Sequence, residues 1–254
     1  MQYSKAFIEA LQFMWGAGFL SPGGADEVAL MLDGHSIAGL RVLDIGAGLG
    51  GIDALLVTQH GASEVVGLDV EPLMVELAGE FIARNNLADR VRFVLAEPGP
   101  LPFPGESFDA VFSKDALVHV ADKAALYREI RRVLRPGGQF IAADWLWAEA
   151  AAEAPVVHAW LSGGPLDFAF TTPGEAEEEL KRAGFQEVRI VDRSTWLRES
   201  NRAEVEILSG PARANLAEKV GEELAAQRLH SAKGRQAALD GGYLRPSHLF
   251  ARKP

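Results

Sequence analysis

The run Asp44-Ile-Gly-Ala-Gly-Leu-Gly-Gly51 puts a carboxylate just ahead of closely spaced glycines. Glycines at that spacing let a backbone pass close to a bound ligand. Gly46, Gly48 and Gly51 also satisfy a dinucleotide-binding fingerprint, although a plain strand-to-helix turn would use the same residues. Asp44 narrows the choice. A carboxylate inside an apolar strand end is costly unless it finds donors or a cation. The ammonium of S-adenosylmethionine is one such cation. Asp69 ends the next apolar run and suits the hydroxyls of a ribose, a role that an NAD enzyme would also require. His35, His60, His158, His230 and His248 show no metal-ligand spacing, so no metal is expected.

These residues need elements to hold them. Residues 41–45 form a short apolar run that ends in the glycines, and helical spacing follows through Ile52, Leu55 and Leu56. The same alternation predicts strands at 64–69, 91–95, 108–113 and 139–145, with helices at 73–86 and 123–134. The second helix is expected to stop at Pro136-Gly137-Gly138. Two more strands fit 186–192 and 243–252. Helical stretches lie between the fifth and sixth strands and from 196 to about 239, long enough for parts of them to fold over a ligand crevice as a lid. Strand–helix alternation implies a parallel, doubly wound α/β sheet.

Taken together, Val42-Leu-Asp-Ile-Gly-Ala-Gly-Leu-Gly-Gly51, Gly67-Leu-Asp69, Phe108-Asp109 and Leu134-Arg-Pro-Gly-Gly138 resemble the ordered motifs of class I S-adenosylmethionine-dependent methyltransferases. The resemblance covers about residues 36–146. It implies a seven-stranded Rossmann-like sheet whose last strand is antiparallel, with helical lid insertions. It also implies S-adenosyl-L-methionine as cofactor and S-adenosyl-L-homocysteine as product. Asp44, Gly46 and Gly48 would lie toward the methionine end, Asp69 at the ribose, and Glu97 toward adenine. Glu97-Pro98 departs from the family's usual Asp followed by an apolar residue.

A narrower resemblance links Gln2-Tyr3 and Met14-Trp-Gly-Ala-Gly-Phe-Leu-Ser-Pro-Gly-Gly24 to the start of phosphoethanolamine N-methyltransferases, together with Ser113-Lys-Asp-Ala-Leu-Val-His119. It implies a segment over the cofactor, with Gln2, Tyr3, Ser21, Ser113 and Lys114 on the cofactor side and Tyr3 paired with His119. As residues alone, Tyr3 is equally a terminal residue and His119 a helix-start histidine. A neutral His119 can take a proton from an ammonium, with Tyr3 holding it or closing the site. Asp115 is read either as orienting the acceptor or as a helix N-cap. Trp15, Trp145, Phe168 and Phe170 are the acceptor candidates. By the resemblance, Trp145, Phe168 and Phe170 stand where the family has phosphate-binding groups, with Lys114 in place of an Arg. Aromatic rings can surround a methylated ammonium, each contributing about 0.5 to 2 kcal/mol when desolvated. Trp145, Trp147 and Trp160 equally suit core packing.

Composition bounds the remainder. A formal charge of -10 disfavours nucleic acid as a partner. The absence of cysteine excludes disulfides and thiolate metal sites. Residues 1–19 carry Lys5 and Glu9 and lack a long apolar run, so no signal peptide or membrane span is expected and a cytoplasmic location is the default. The chain divides into an N-terminal helical cover (1–35), a cofactor-binding half (36–146), and a remainder of the core with acceptor-lid insertions (147–254). Methylation of a small-molecule acceptor is expected, first at the nitrogen of a small amine. The alternatives are O-, S- or C-methylation of an apolar or aromatic metabolite, an inactive S-adenosylmethionine-binding module, and an NAD-dependent oxidoreductase.

Overall fold

Neighbouring residues of the first strand, β1 (Arg41–Ile45), are buried on opposite sides of a sheet in the computed structural model, which describes residues 3–162 and 166–254. Val42 joins one core with Val65, Ala110 and Ile141, and Leu43 joins a second with Val66, Val111 and Phe140. A strand covered on both faces has no polar side, which is why these runs read as continuously apolar. The other strands are β2 (Glu64–Asp69), β3 (Val91–Leu95), β4 (Phe108–Lys114), β5 (Leu134–Asp144), β6 (Gln186–Asp192) and β7 (Ser247–Arg252). They form one sheet in the order β3-β2-β1-β4-β5-β7-β6. β7 runs antiparallel to both β5 and β6, as expected, and the pairings among β1 to β5 are parallel. The order reverses between β1 and β4, so a crevice opens at their carboxyl ends.

Helices cover both faces. In α5 (Lys123–Val133), Leu126, Tyr127, Ile130 and Val133 fall on one buried stripe. α3 (Gly51–Thr58) begins at the last glycine of the turn, and α4 (Pro72–Arg84) starts on a proline whose missing N–H costs nothing there. α7 (Pro173–Arg182) opens with a Thr172–Glu175 capping box.

Two strand starts differ from the sequence expectation by more than two residues. β5 begins at Leu134, before Pro136-Gly137-Gly138, because Leu134 already pairs with Phe108 and a register shift toward Ala110 absorbs the turn. β7 begins at Ser247 rather than 243, since Pro246 lacks a ladder donor and Leu244 makes only an isolated bridge to Trp147.

The long helical stretch divides into α8 (Ser194–Ser209), α9 (Ala212–Val220) and α10 (Glu222–Asp240), broken at Gly210-Pro211 and at Gly221 with φ +92°. These three pack with the N-terminal α1 (Lys5–Trp15), giving a separate core around Ala10, Leu208, Leu216, Ala225 and Ala232. α2 (Gly24–Met31) follows α1 and ties it to the sheet edge through Glu27, which bonds Arg193 at 2.7 Å and His248 at 2.6 Å. α6 (Pro155–Leu161) packs against α10, where Gly234 leaves room for Trp160. Among the described residues, no helix is long and apolar enough to cross a membrane.

Candidate active site

The glycine turn after β1 forms the floor of a cavity of about 920 Å³. Gly46 and Gly48 take φ of +79° and +56°. A Cβ at Gly46 would meet the Ala116 Cβ at 2.2 Å, and one at Gly48 the Leu20 side chain at 3.0 Å. Gly46 therefore needs glycine for backbone and for space, and Gly48 chiefly for its backbone, since the atom met there is the end of a flexible leucine side chain. Asp69 lines the cavity and accepts from the Gly48 and Glu71 amides, each at 3.0 Å. Burial raises its pKa despite those bonds. Glu97 lies exposed on the rim with Pro98 and Gly99.

Asp44 departs from the expected direct contact. It lies beneath the floor rather than on the cavity wall, 1% exposed, with neither carboxyl oxygen hydrogen-bonded. Asp53 of α3 is buried and unpartnered in the same way. Burial, reinforced by Asp53 and Asp69, raises the Asp44 pKa well above the carboxylate range. Burial also pushes Asp53 up to about 8. Two orphaned acids under a glycine floor suit a ligand that brings a positive charge or donors to the methionine end. Ser113 is likewise no wall residue. Its hydroxyl donates to the Ile45 carbonyl at 2.7 Å, fastening β4 to β1.

Lys114 lines the cavity and holds the N-terminal segment onto it. Its Nζ donates to the Ser21 hydroxyl at 2.8 Å, the Pro22 carbonyl at 2.9 Å and the Asp115 carboxylate at 2.5 Å. Gly51 makes room for the same segment, since a Cβ there would lie 2.4 Å from the Gly18 carbonyl oxygen. Asp115 is no N-cap. It has φ +56°, and Ala116 precedes the short 3₁₀ turn Leu117–His119 without a side-chain cap. A non-glycine residue held at positive φ beside a cavity is strain of the kind that functional sites store.

A second, smaller chamber of about 100 Å³ adjoins the first. Tyr3, Leu20, Ser21, Asp115 and His119 line both. Tyr3 and His119 thus meet at one partition, although no hydrogen bond joins them. Burial, with Asp69 and Glu71 nearby, pushes the Tyr3 phenol up to about 12. The His119 Nδ1 lies 2.6 Å from the Asp167 carbonyl oxygen. That oxygen only accepts, so Nδ1 carries the hydrogen and the neutral ring keeps its lone pair on Nε2. The turn bearing His119 is pinned from behind. Lys123 Nζ donates to the carbonyls of Leu117, Val120 and Ala169, and Asp144 accepts from the Val118 amide at 3.0 Å.

Trp15, Trp145 and Phe168 line this chamber, and Trp160 joins them. Phe170 does not. It stacks behind Phe168 at 5.3 Å and against Trp147 at 5.0 Å. The aromatic cage expected around an ammonium is also altered, because Arg228 lies 5.6 Å from the Trp15 ring and Arg235 lies 5.6 Å from that of Trp145. Both arginines line the chamber, and both bond Glu204 behind it. The sequence reading missed them. The available signal was two arginines seven residues apart, on one helix face otherwise built of Ala225, Ala232, Ala238 and Leu239. Gln2 lies outside the described residues. Among those described, no cluster of acidic and histidine side chains could hold a metal.

A family model described as a methyltransferase domain matches residues 43–142. A sterol 24-C-methyltransferase of Gibberella zeae is 33% identical over 159 residues, 58% of this chain and 42% of that protein. A phosphoethanolamine N-methyltransferase of Triticum aestivum is 32% identical over 146 residues, 57% of this chain and 28% of that protein. The chain thus spans less than half the length of these two relatives. The solved Haemonchus contortus phosphoethanolamine N-methyltransferase 2 in complex with S-adenosyl-L-methionine superposes with a TM-score of 0.91 at 25% identity, covering 100% of this chain and 58% of that one.

Proposed function

We propose that this chain, whose fold is that of the class I S-adenosylmethionine methyltransferases, methylates the nitrogen of a small amine. The observation that carries the reading is the partition. Tyr3, Ser21, Asp115 and His119 line both the large cavity over the glycine turn and the small aromatic chamber beside it. Two ligands seated in these chambers would meet across those side chains.

The residues fit S-adenosylmethionine in the large cavity. Gly46 and Gly48 would allow close approach of its methionine part, Asp69 would bind the ribose hydroxyls, and Glu97 would lie toward the adenine. Ser21 and Lys114 would keep the N-terminal segment over it as a cover, and residues 1–35 act in that capacity. When bound, the cofactor supplies a sulfonium methyl group, the electron pair of the broken S–C bond staying on sulfur. The protein's task is to align the nucleophile and exclude water. An ammonium acceptor must first lose a proton, and the unprotonated Nε2 of His119 can receive it. Asp115 orients the amine, and Tyr3 closes the partition. The cytoplasmic location expected from the sequence belongs to the same proposal.

The test is a screen of small amines, phenols, thiols and carboxylic acids, read by release of S-adenosylhomocysteine. Turnover confined to amines is expected. Turnover confined to phenols or thiols would overturn the nitrogen assignment, and tighter binding of NAD than of S-adenosylhomocysteine would overturn the cofactor.

A further inference from the structure

We propose that the small chamber selects an acceptor carrying one negative charge, a carboxylate, which seats against Arg228 and Arg235. The proposal rests on the methyl-transfer reading and names the substrate class of that site: a small amino acid rather than a bare amine.

Three observations converge. First, the charges around the chamber do not cancel. Arg228 and Arg235 share the single carboxylate of Glu204, Lys114 is matched by Asp115, and the His119 ring is neutral in the state that accepts a proton. One guanidinium charge is left over on the Arg228 and Arg235 pair, which a single carboxylate group would match at that end. Second, Arg228 is 6% exposed, yet its Nε has no hydrogen-bond partner. Buried donors are seldom left so, and a carboxylate that draws the guanidinium toward the chamber would satisfy it. Third, the Phe7 and Trp15 rings lie 5.7 and 5.6 Å from that guanidinium, which limits its access to water. Burial and then Arg235 lower the Arg228 pKa to about 10, while Glu204 opposes the change. An incoming anion would offset the loss of hydration.

The same bookkeeping disfavours other charge types. A bare ammonium would face a net positive wall. At the arginine end a phosphate monoester brings about -1.5 to -2 at neutral pH and exceeds the single unmatched positive charge there, whereas a carboxylate matches it. Tyr3, Gln227 and Ser231 also line the chamber and are neutral, so they offer hydrogen bonds but no further positive charge. A zwitterion fits both ends, with its amine toward His119 and Asp115 and its carboxylate toward Arg228.

Calorimetry at saturating S-adenosylhomocysteine tests this with glycine, sarcosine and β-alanine, each set against its neutral amide, and with phosphoethanolamine. At least one carboxylate should bind about tenfold or more tightly than its amide, as expected for a hydrogen bond to a charged group. Arg228→Gln should erase that preference and Arg228→Lys should keep part of it, with the affinity for S-adenosylhomocysteine unchanged in both. The proposal falls if no carboxylate outbinds its amide, if phosphoethanolamine outbinds every carboxylate, or if the preference survives in a folded Arg228→Gln protein. Failure of the unmodified protein to bind S-adenosylhomocysteine would count against methyl transfer instead. The carboxylate–amide comparison, repeated without it, would still decide the anion site.

Discussion

At the scale of single residues, the glycine turn and the partition make separable predictions. Gly46→Val puts a branched side chain at φ +79° and into Ala116, so S-adenosylhomocysteine binding should be lost. Asp69→Ala should weaken binding by about 1.5 to 3 kcal/mol, the range for hydrogen bonds to a charged group. Calorimetry on variants whose circular dichroism matches the parent checks both, and full affinity in the two would sink the cofactor assignment. His119→Ala should slow the single-turnover rate about 10²- to 10⁴-fold, with partial recovery at higher pH as the amine deprotonates unaided. Tyr3→Phe keeps the ring against Phe7 and removes only the hydroxyl. It should therefore alter cofactor release and acceptor KM more than the pH profile. A near-normal His119→Ala rate across the pH range would remove this histidine from the chemistry.

At the scale of elements, residues 18–23 of the N-terminal segment are fastened over the cavity by a small set of hydrogen bonds. Lys114 reaches Ser21 and Pro22, and the Gly51 amide donates to the Gly18 carbonyl at 3.2 Å. Lys114→Met and Gly51→Ala should each loosen it, the first by removing bonds and the second by a clash with backbone. Amide exchange over residues 18–24 should then speed up in both variants, and in the parent it should slow on adding S-adenosylhomocysteine. Unchanged protection on ligand saturation would mean that the segment is a fixed part of the scaffold. Gly51 shows why sequence reading is incomplete at this scale. The glycine is visible as the third of a ligand-binding fingerprint, but the backbone that it admits is Gly18 of the cover.

At the scale of the whole molecule, buried acids make stability depend on pH. Asp53 is pushed up to about 8 and Asp144 to about 7, both chiefly by burial, and Asp44 is raised in the same direction. The folded state then keeps protons that the unfolded chain has already released. This contribution to stability is fully present below the ordinary carboxylate value of 3.8 and is lost as pH rises through the folded values. The melting temperature of the ligand-free protein should fall between about pH 5 and about pH 8, and Asp53→Asn should flatten that slope. If the cofactor's ammonium approaches these acids, its binding should release protons, seen as a heat that varies with the buffer's ionisation enthalpy. A flat melting profile in both proteins would show that the acids do not titrate in this window. The sequence by itself determined the sheet, because continuously apolar strand runs, the 3.6-residue spacing of helices and glycine backbone freedom are local properties written in consecutive residues. It also singled out Asp69, Tyr3, Asp115 and His119, whose surroundings on the chain are distinctive. Only the tertiary structure decided that Ser113 serves β1, that Phe170 stands behind Phe168, and that Arg228 and Arg235 face the chamber. Those assignments depend on which elements pack against one another, across 68 residues of chain for Ser113 and Ile45 and farther for Arg228 and Trp15, and side-chain direction in such packing is set by the partner rather than by the neighbours in sequence.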